Sequence, residues 1–493
     1  MKKIPDSWFY LPILILGIYF IIRLVDQSQL MLHFPLDYTN DISSYMAQLF
    51  FLDKCGFHTF CPYWYNGFIT FQFTPPAWFF FTLPLLKIFG DVKIATYVSM
   101  VLIFLLGLVA FLAMGKLFEF SITKRIAFFL FFFGNAIAIG NFIRLGDVHQ
   151  LFGWMLFVPF AFGILYYKNR KLNKNFYWGV PLLSLIILSH QTIAVLAPFC
   201  LLGLFFVKRN GERIQIVLVG IISLILTSFW WIPYIKGFGE TIGSQHVLTE
   251  SLRSLAVSDL PQNLASIFIP LVFWIIFYHY WRLYDKNQKE FIFFLPIIIL
   301  SILFFFRFVI FIPLLKFVYP DSYLYFFIFF TVFMFLKSEI QIFPLKKLIF
   351  LALIFVTTIS IMINIFYTPK FMVPDEAGEN LIKILGDVDD KFLVIGNKSS
   401  VLYAEAIYSY APIYLNLSTP EGWSFLVDKE YSNLSHIIRN DFLQNGKCDD
   451  ARDGLSVMQT KYLISYDSQC GILEVCGFEK RKEMGNVCLY YIN

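Results

Sequence analysis

The sequence predicts a membrane-embedded all-α bundle of about eleven transmembrane helices followed by a C-terminal extracytoplasmic α/β domain. Three observations carry this. The 493 residues are 58% hydrophobic and 20% aromatic but only 15% charged, against about 25% charged in ordinary soluble domains, and the mean hydropathy is +0.67. Apolar runs near the ~20 residues that cross a bilayer recur along residues 8–367. Beyond residue 367 these runs stop, and acidic clusters such as Asp387-Val-Asp389-Asp390 and Asp449-Asp450 take their place.

The runs fall at about 8–25, 94–115, 126–142, 150–167, 176–190, 191–207, 214–233, 263–281, 291–306, 320–336 and 348–367, which makes eleven. The first has no small-residue cleavage site after it and reads as a retained helix, not a signal peptide. Residues 176–207 form one apolar stretch. As a single helix it would be about 48 Å long, too long for a ~30 Å hydrocarbon core. It is therefore divided at Ser189-His190-Gln191-Thr192.

Basic residues fall in alternate loops: Lys2 and Lys3; Lys116, Lys124 and Arg125; Lys168, Arg170, Lys171 and Lys174; Lys208, Arg209 and Arg213; Arg282, Lys286 and Lys289; Lys337, Lys346 and Lys347. Short cytoplasmic loops collect Lys and Arg. The N-terminus is therefore expected in the cytoplasm of a cell-membrane protein, and an odd number of spans puts the C-terminal domain outside. Residues 71–89 must then form an interfacial or re-entrant helix, and 307–319 a short outer segment. The net charge of +5 says nothing of nucleic acid, because in a membrane protein the sidedness of charge matters more than its sum. No nucleic-acid partner is expected.

Residues 1–367 thus make the membrane domain, with a long first outer loop at 27–76, and 368–493 the outer domain. In the latter, 392–395, 462–465 and 487–492 read as strands and 376–385 as an amphipathic helix. Cys55 and Cys61 lie in the first loop and Cys448, Cys470, Cys476 and Cys488 in the tail, while only Cys200 lies in a membrane segment. Even numbers on the predicted outside are what disulfides in an oxidising compartment give. One pair is expected in the loop. The four tail cysteines allow three connectivities. The sequons at Asn397, Asn416 and Asn433 fall in the same outer region.

Loop 27–76 is too long and too aromatic to be a plain connection or a disordered one. It holds Asp37, Asp41, His58 and the cluster Tyr63-Trp64-Tyr65. Further polar groups gather on the same predicted face: Arg144, Asp147 and His149, then His190 and Gln191, Glu240 and His246, and Arg307 with Asp321. Each has a structural alternative. Asp41 suits the N-cap of a helix at 42–52, Asp37 a turn, Arg144 a headgroup anchor, His149 and His190 satisfied polar positions at helix ends. Tyr63, Trp64, Tyr65 and Trp78 suit an interfacial belt as the alternative to a sugar-stacking platform. No phosphate-binding glycine loop, nucleophile elbow or metal motif is present. A site on the outer face cannot draw on cytoplasmic nucleotides, so a substrate carried in the lipid is favoured.

The order of features resembles the GT-C class of polytopic glycosyltransferases. Within it the chain looks most like the membrane proteins labelled "6-pyruvoyl-tetrahydropterin synthase-related", a label without pterin chemistry here. The residues that carry the likeness are Asp41-Ile-Ser-Ser-Tyr45, Pro62-Tyr-Trp-Tyr-Asn-Gly67 and Phe71-Gln-Phe-Thr-Pro-Pro76. Arg144-Leu-Gly-Asp-Val-His149, Ser189-His190, Pro420-Glu-Gly-Trp423, Thr460-Lys-Tyr-Leu463 and residues 485–491 continue it. The pattern is departed from at Tyr45, where a His is expected, and at Pro320-Asp-Ser322, where Pro-x-Arg is expected.

The resemblance implies transfer of a sugar from a polyprenyl-phosphate carrier to a glycan, lipid or protein acceptor at the outer membrane face. Asp41, with Asp37 as a second candidate, would act as general base or orient the acceptor with a divalent ion, Mg or Mn. Arg144 or Arg307 would hold the lipid phosphate, with His149 and His190 beside it. Two rival classes use the same outline: a lipid-linked-sugar flippase or other transporter, and a non-catalytic membrane assembly protein. Transporters tend to show internal repeats and mid-membrane ionisable groups. Here no repeat is visible, and the polar groups gather toward one face.

Overall fold

The computed structural model describes residues 5–36, 41–239, 247–254, 259–283, 286–338, 345–368, 370–373, 375–396, 404–422, 429–443, 445–466 and 469–492. Asp37, Glu240, His246, Asn397 and Trp423 lie outside the described residues. The chain divides into two units, one of Met1–Gln27, Met100–Trp230 and Val247–Lys370, the other of Ser28–Ser99, Trp231–His246 and Phe371–Asn493.

Among the described residues, seven helices are long and apolar enough to cross a membrane: Asp6–Met31, Val92–Lys116, Val148–Tyr167, Leu260–Leu283, Gln288–Phe305, Pro320–Lys337 and Phe350–Tyr367. Two broken pairs, Ile122–Phe133 with Ala136–Leu145 and Asn210–Leu226 with Ser228–Phe238, raise this to nine if each pair is one span. The protein is an integral membrane protein. The remaining two of the eleven expected segments are helical but short. Gly179–Ser189 has 11 residues and Gln191–Val207 has 17, about 16 and 25 Å at 1.5 Å per residue. Neither reaches across a ~30 Å core unaided. Their break lies at His190, where the backbone is extended at φ −160° and ψ 128°.

The first unit is built around Val148–Tyr167, whose core window is 89% buried. A helix apolar all round its circumference belongs in an interior. Phe329 stands at the centre of this packing, with ring centres 5.2–5.8 Å from Phe128, Phe132, Phe157 and Phe162. Close helix approach rests on small residues. A Cβ on Gly203 would come 2.2 Å from the Phe293 carbonyl oxygen. Away from the aromatic centre, Lys168 Nζ and Glu290 Oε2 form an ion pair of 2.5 Å with both side chains 4% exposed.

The second unit joins the first loop to the tail. Strands β1 (Phe60–Cys61) and β2 (Phe68–Ile69) pair antiparallel, with Cys61 opposite Phe68. Cys55 and Cys61 are disulfide-bonded across a Cα separation of 5.5 Å. Asn66 and Gly67, at φ 56° and 115°, turn the chain between the strands. Trp64 is buried and donates its indole N–H to the Tyr408 carbonyl at 2.8 Å. The backbone N–H of Thr419 donates to the Tyr63 carbonyl at 2.8 Å, and Asn66 Nδ2 donates to the Met458 carbonyl at 2.8 Å. Trp64 thus ties the first loop to the tail within this unit, with Tyr63 and Tyr65 half-buried beside it. Helix Ile42–Lys54 forms where expected and is buried on nearly every side.

The tail folds β3 (Phe392–Ile395), β4 (Tyr462–Tyr466), β5 (Glu479–Met484) and β6 (Val487–Tyr491) into one sheet of order β3-β4-β6-β5. β3 and β4 are parallel and the other pairs antiparallel. The expected helix forms as Glu376–Leu385, with Asp375 accepting the Gly378 N–H at 2.9 Å. Strand β5, Glu-Lys-Arg-Lys-Glu-Met, has no apolar alternation because as an edge strand it is exposed on both faces. The tail disulfides are Cys448–Cys476 and Cys470–Cys488. Cys200 is free and buried.

Candidate metal centre

Three buried side chains of the first unit converge: Asp147, His149 and His190 place one ligand atom each within 4.8 Å of the other two. The chain reaches them through the π-helical turn Ile139–Leu145, which ends at Gly146 with φ 77°. That left-handed conformation suits glycine, and it turns the chain into helix Val148–Tyr167. Asp147 is the N-cap, its Oδ1 accepting the Gln150 N–H at 3.3 Å. Two residues on, His149 sets Nδ1 3.2 Å from the same oxygen.

His190 arrives from the break between the two short helices. Its ring centre is 5.0 Å from that of His149. The approach depends on Gly153, one turn beyond His149. A Cβ there would lie 2.6 Å from both Ser189 Oγ and Ile193 Cδ1. His190 Nδ1 lies 2.8 Å from Thr192 Oγ1 and accepts the Thr192 backbone N–H at 3.4 Å. Thr192 Oγ1 is 3.1 Å from Ser322 Oγ, which accepts from Gln150 Nε2 at 2.9 Å. Beside this chain, Asn141 donates to Asp321.

Burial alone would raise the pKa of Asp147, but the His149 imidazole beside it and the Gln150 N–H that its carboxylate accepts hold it below the usual value. An ionised carboxylate with imidazole beside it is a donor set for a divalent ion. Nitrogen donors suit Mn2+ better than Mg2+, which prefers oxygen. Donors on one such ion lie at most ~4.3 Å apart at ordinary bond lengths, so a 4.8 Å cluster needs a contraction of only a few tenths of an ångström.

The other sequence-derived candidates are distributed as follows. Arg144 lies in the π-helical turn just before the cluster and is only 3% exposed, which removes the headgroup-anchor alternative. Arg307 lies in the turn between Gln288–Phe305 and Pro320–Lys337, with φ 66°. Its buried Nη1 has no hydrogen-bond partner among the described residues. Asp41, in the second unit, occupies the N-cap position of Ile42–Lys54 without making the side-chain capping bond. Sequence reasoning found no metal motif because the third group of the cluster comes from a separate segment. The readable signal was Asp147-Val-His149, a carboxylate and an imidazole two residues apart. Gly153, Thr192 and Ser322 gave none.

The fold is one seen in solved structures of two kinds of transferase. The chain is similar to the archaeal oligosaccharyltransferase AglB from Archaeoglobus fulgidus in complex with an inhibitory peptide and a dolichol-phosphate, with a TM-score of 0.56 and 12% identity, over 93% of this chain and 69% of that one. The apo Archaeoglobus fulgidus oligosaccharyltransferase gives 0.57 and 11%, over 98% and 74%. The arabinofuranosyltransferase AftD from Mycobacteria gives 0.57 and 14%, over all of this chain but 40% of that one, so the chain spans less than half of AftD. At such identities the likeness is one of fold. No protein-family model and no curated protein matches the sequence.

Proposed function

We propose that the protein is a glycosyltransferase that moves a sugar from a polyprenyl-phosphate carrier to a glycan, lipid or protein acceptor at the outer membrane face. The observation that carries this is the buried Asp147–His149–His190 cluster inside a helical unit of GT-C fold. Buried ionisable groups are costly and gather at functional sites. By its motifs we place the chain near the 6-pyruvoyl-tetrahydropterin synthase-related proteins. We keep the N-terminus in the cytoplasm, the first loop and tail outside, and about eleven membrane segments including the two short helices.

Asp147 and His149 would hold a divalent ion, which when bound supplies positive charge opposite the carrier phosphate. The Arg144 and Arg307 guanidiniums suit bidentate contact with that phosphate, and the buried unpartnered Nη1 of Arg307 favours such a role. Asp41 would take the acceptor's proton, with Asp37 secondary. General-base help of this kind is worth ~10²–10⁴-fold.

Mass spectrometry of lipid-linked glycans and surface glycoconjugates from cells with and without the gene tests the reaction. Loss of one glycan together with build-up of its lipid-linked donor is expected. Unchanged pools of both would overturn the proposal.

A further inference from the structure

His149 and His190 meet at the same cluster through different contacts. His149 sets Nδ1 against the Asp147 carboxylate at 3.2 Å. A neutral ring that turns an Nδ1–H toward that carboxylate keeps its Nε2 lone pair for a cation. His190 is the N-cap of Gln191–Val207, and its Nδ1 accepts the Thr192 backbone N–H at 3.4 Å. A backbone N–H cannot reverse its role, so Nδ1 must be the unprotonated nitrogen. The side-chain relay runs in the same sense. With Gln150 Nε2 donating to Ser322 Oγ at 2.9 Å, the Ser322 hydroxyl is able to donate to Thr192 Oγ1 at 3.1 Å and Thr192 to His190 Nδ1 at 2.8 Å. In a neutral imidazole the remaining proton then sits on Nε2. The position adds to this, because the positive end of a helix disfavours imidazolium.

We propose that His190 is not the third metal ligand but a neutral Nε2–H donor beside the ion, and that Thr192 is the positioning residue that fixes this tautomer. A protonated Nε2 has no lone pair to offer a cation. It can instead donate to an anionic oxygen, which in the reading proposed above is an oxygen of the carrier phosphate. The two histidines, equal in type and both buried, thereby divide the work: one binds the cation and the other its anionic partner.

Magic-angle-spinning 15N spectra of the full-length protein, labelled at histidine and reconstituted in liposomes, read the tautomer directly. His190→Gln assigns its signals among the seven histidines. A protonated Nε2 and unprotonated Nδ1 are expected at His190 in EDTA-washed and in Mg2+-loaded samples alike. A protonated Nδ1, or an Nε2 that loses its proton when Mg2+ is added, overturns the proposal. Thr192→Val should raise the share of the other tautomer about fivefold, the worth of one hydrogen bond, and Thr192→Ser should restore the wild-type spectrum. An unchanged Thr192→Val spectrum would overturn the role of the hydroxyl. The tautomer is read without turnover and without metal, so it stands or falls apart from the proposed reaction, on which only the identity of the anionic oxygen rests.

Discussion

Asp147 Oδ1 receives the Gln150 backbone N–H at 3.3 Å and faces His149 Nδ1 at 3.2 Å, so one carboxylate oxygen both starts the central helix and orients the imidazole. Asn in its place keeps an acceptor oxygen and a competent cap but loses the charge. Asp147→Asn is expected to leave thermal stability within ~1 kcal/mol. It should weaken Mn2+ binding, read by titration calorimetry in detergent, by ~10–100-fold. Wild-type affinity in this variant would remove Asp147 from the ion's shell.

Asp41 lies at the start of Ile42–Lys54 without making a capping bond, so its carboxylate contributes little to helix stability through the cap. Asp41→Asn should express and melt normally while sugar transfer falls ~10²-fold or more. Asp37→Asn should lose far less. Near-normal transfer by Asp41→Asn would refute its role as base.

Gly153 sets the distance between the two histidine segments, since a methyl there meets Ser189 and Ile193 at 2.6 Å. Overpacking of this kind costs typically ~1–3 kcal/mol. Gly153→Ala is expected to lower the melting temperature and weaken Mn2+ binding together. Gly163→Ala, on the same helix with nothing within 4 Å of its Cβ, should do neither.

The pair Lys168–Glu290 is buried on both sides, and removing one partner of such a pair costs ~3–5 kcal/mol. Glu290→Gln should therefore destabilise the protein more than the double variant Lys168→Met/Glu290→Met, which leaves no lone charge. Equal melting of the two variants would show that the pair is solvated.

Non-reducing peptide mapping should recover Cys55–Cys61, Cys448–Cys476 and Cys470–Cys488 and no other pairing. Removing Cys470 and Cys488 together, which opens a loop of sequence separation 18, should cost ~3 kcal/mol. For the topology, impermeant labelling in intact cells should modify Asn445→Cys and spare Asn173→Cys.

What the sequence determined by itself is the part of the structure written in local runs. Apolar stretches of bilayer length marked the helices, and Ser189-His190-Gln191-Thr192 marked the break where a polar cap interrupts them. The cysteines sorted into loop and tail groups that do pair within themselves. Strand β5 escaped because an edge exposed on both faces needs no hydrophobic alternation. Only the tertiary structure decided which tail cysteines pair and that Trp64 and its neighbours bind the tail. It also decided that His190 meets Asp147 and His149. That meeting depends on the missing side chain of Gly153 and on hydroxyls of Thr192 and Ser322 from two different helices. Periodicity records which face of a segment is apolar; it holds no record of which two segments come into contact.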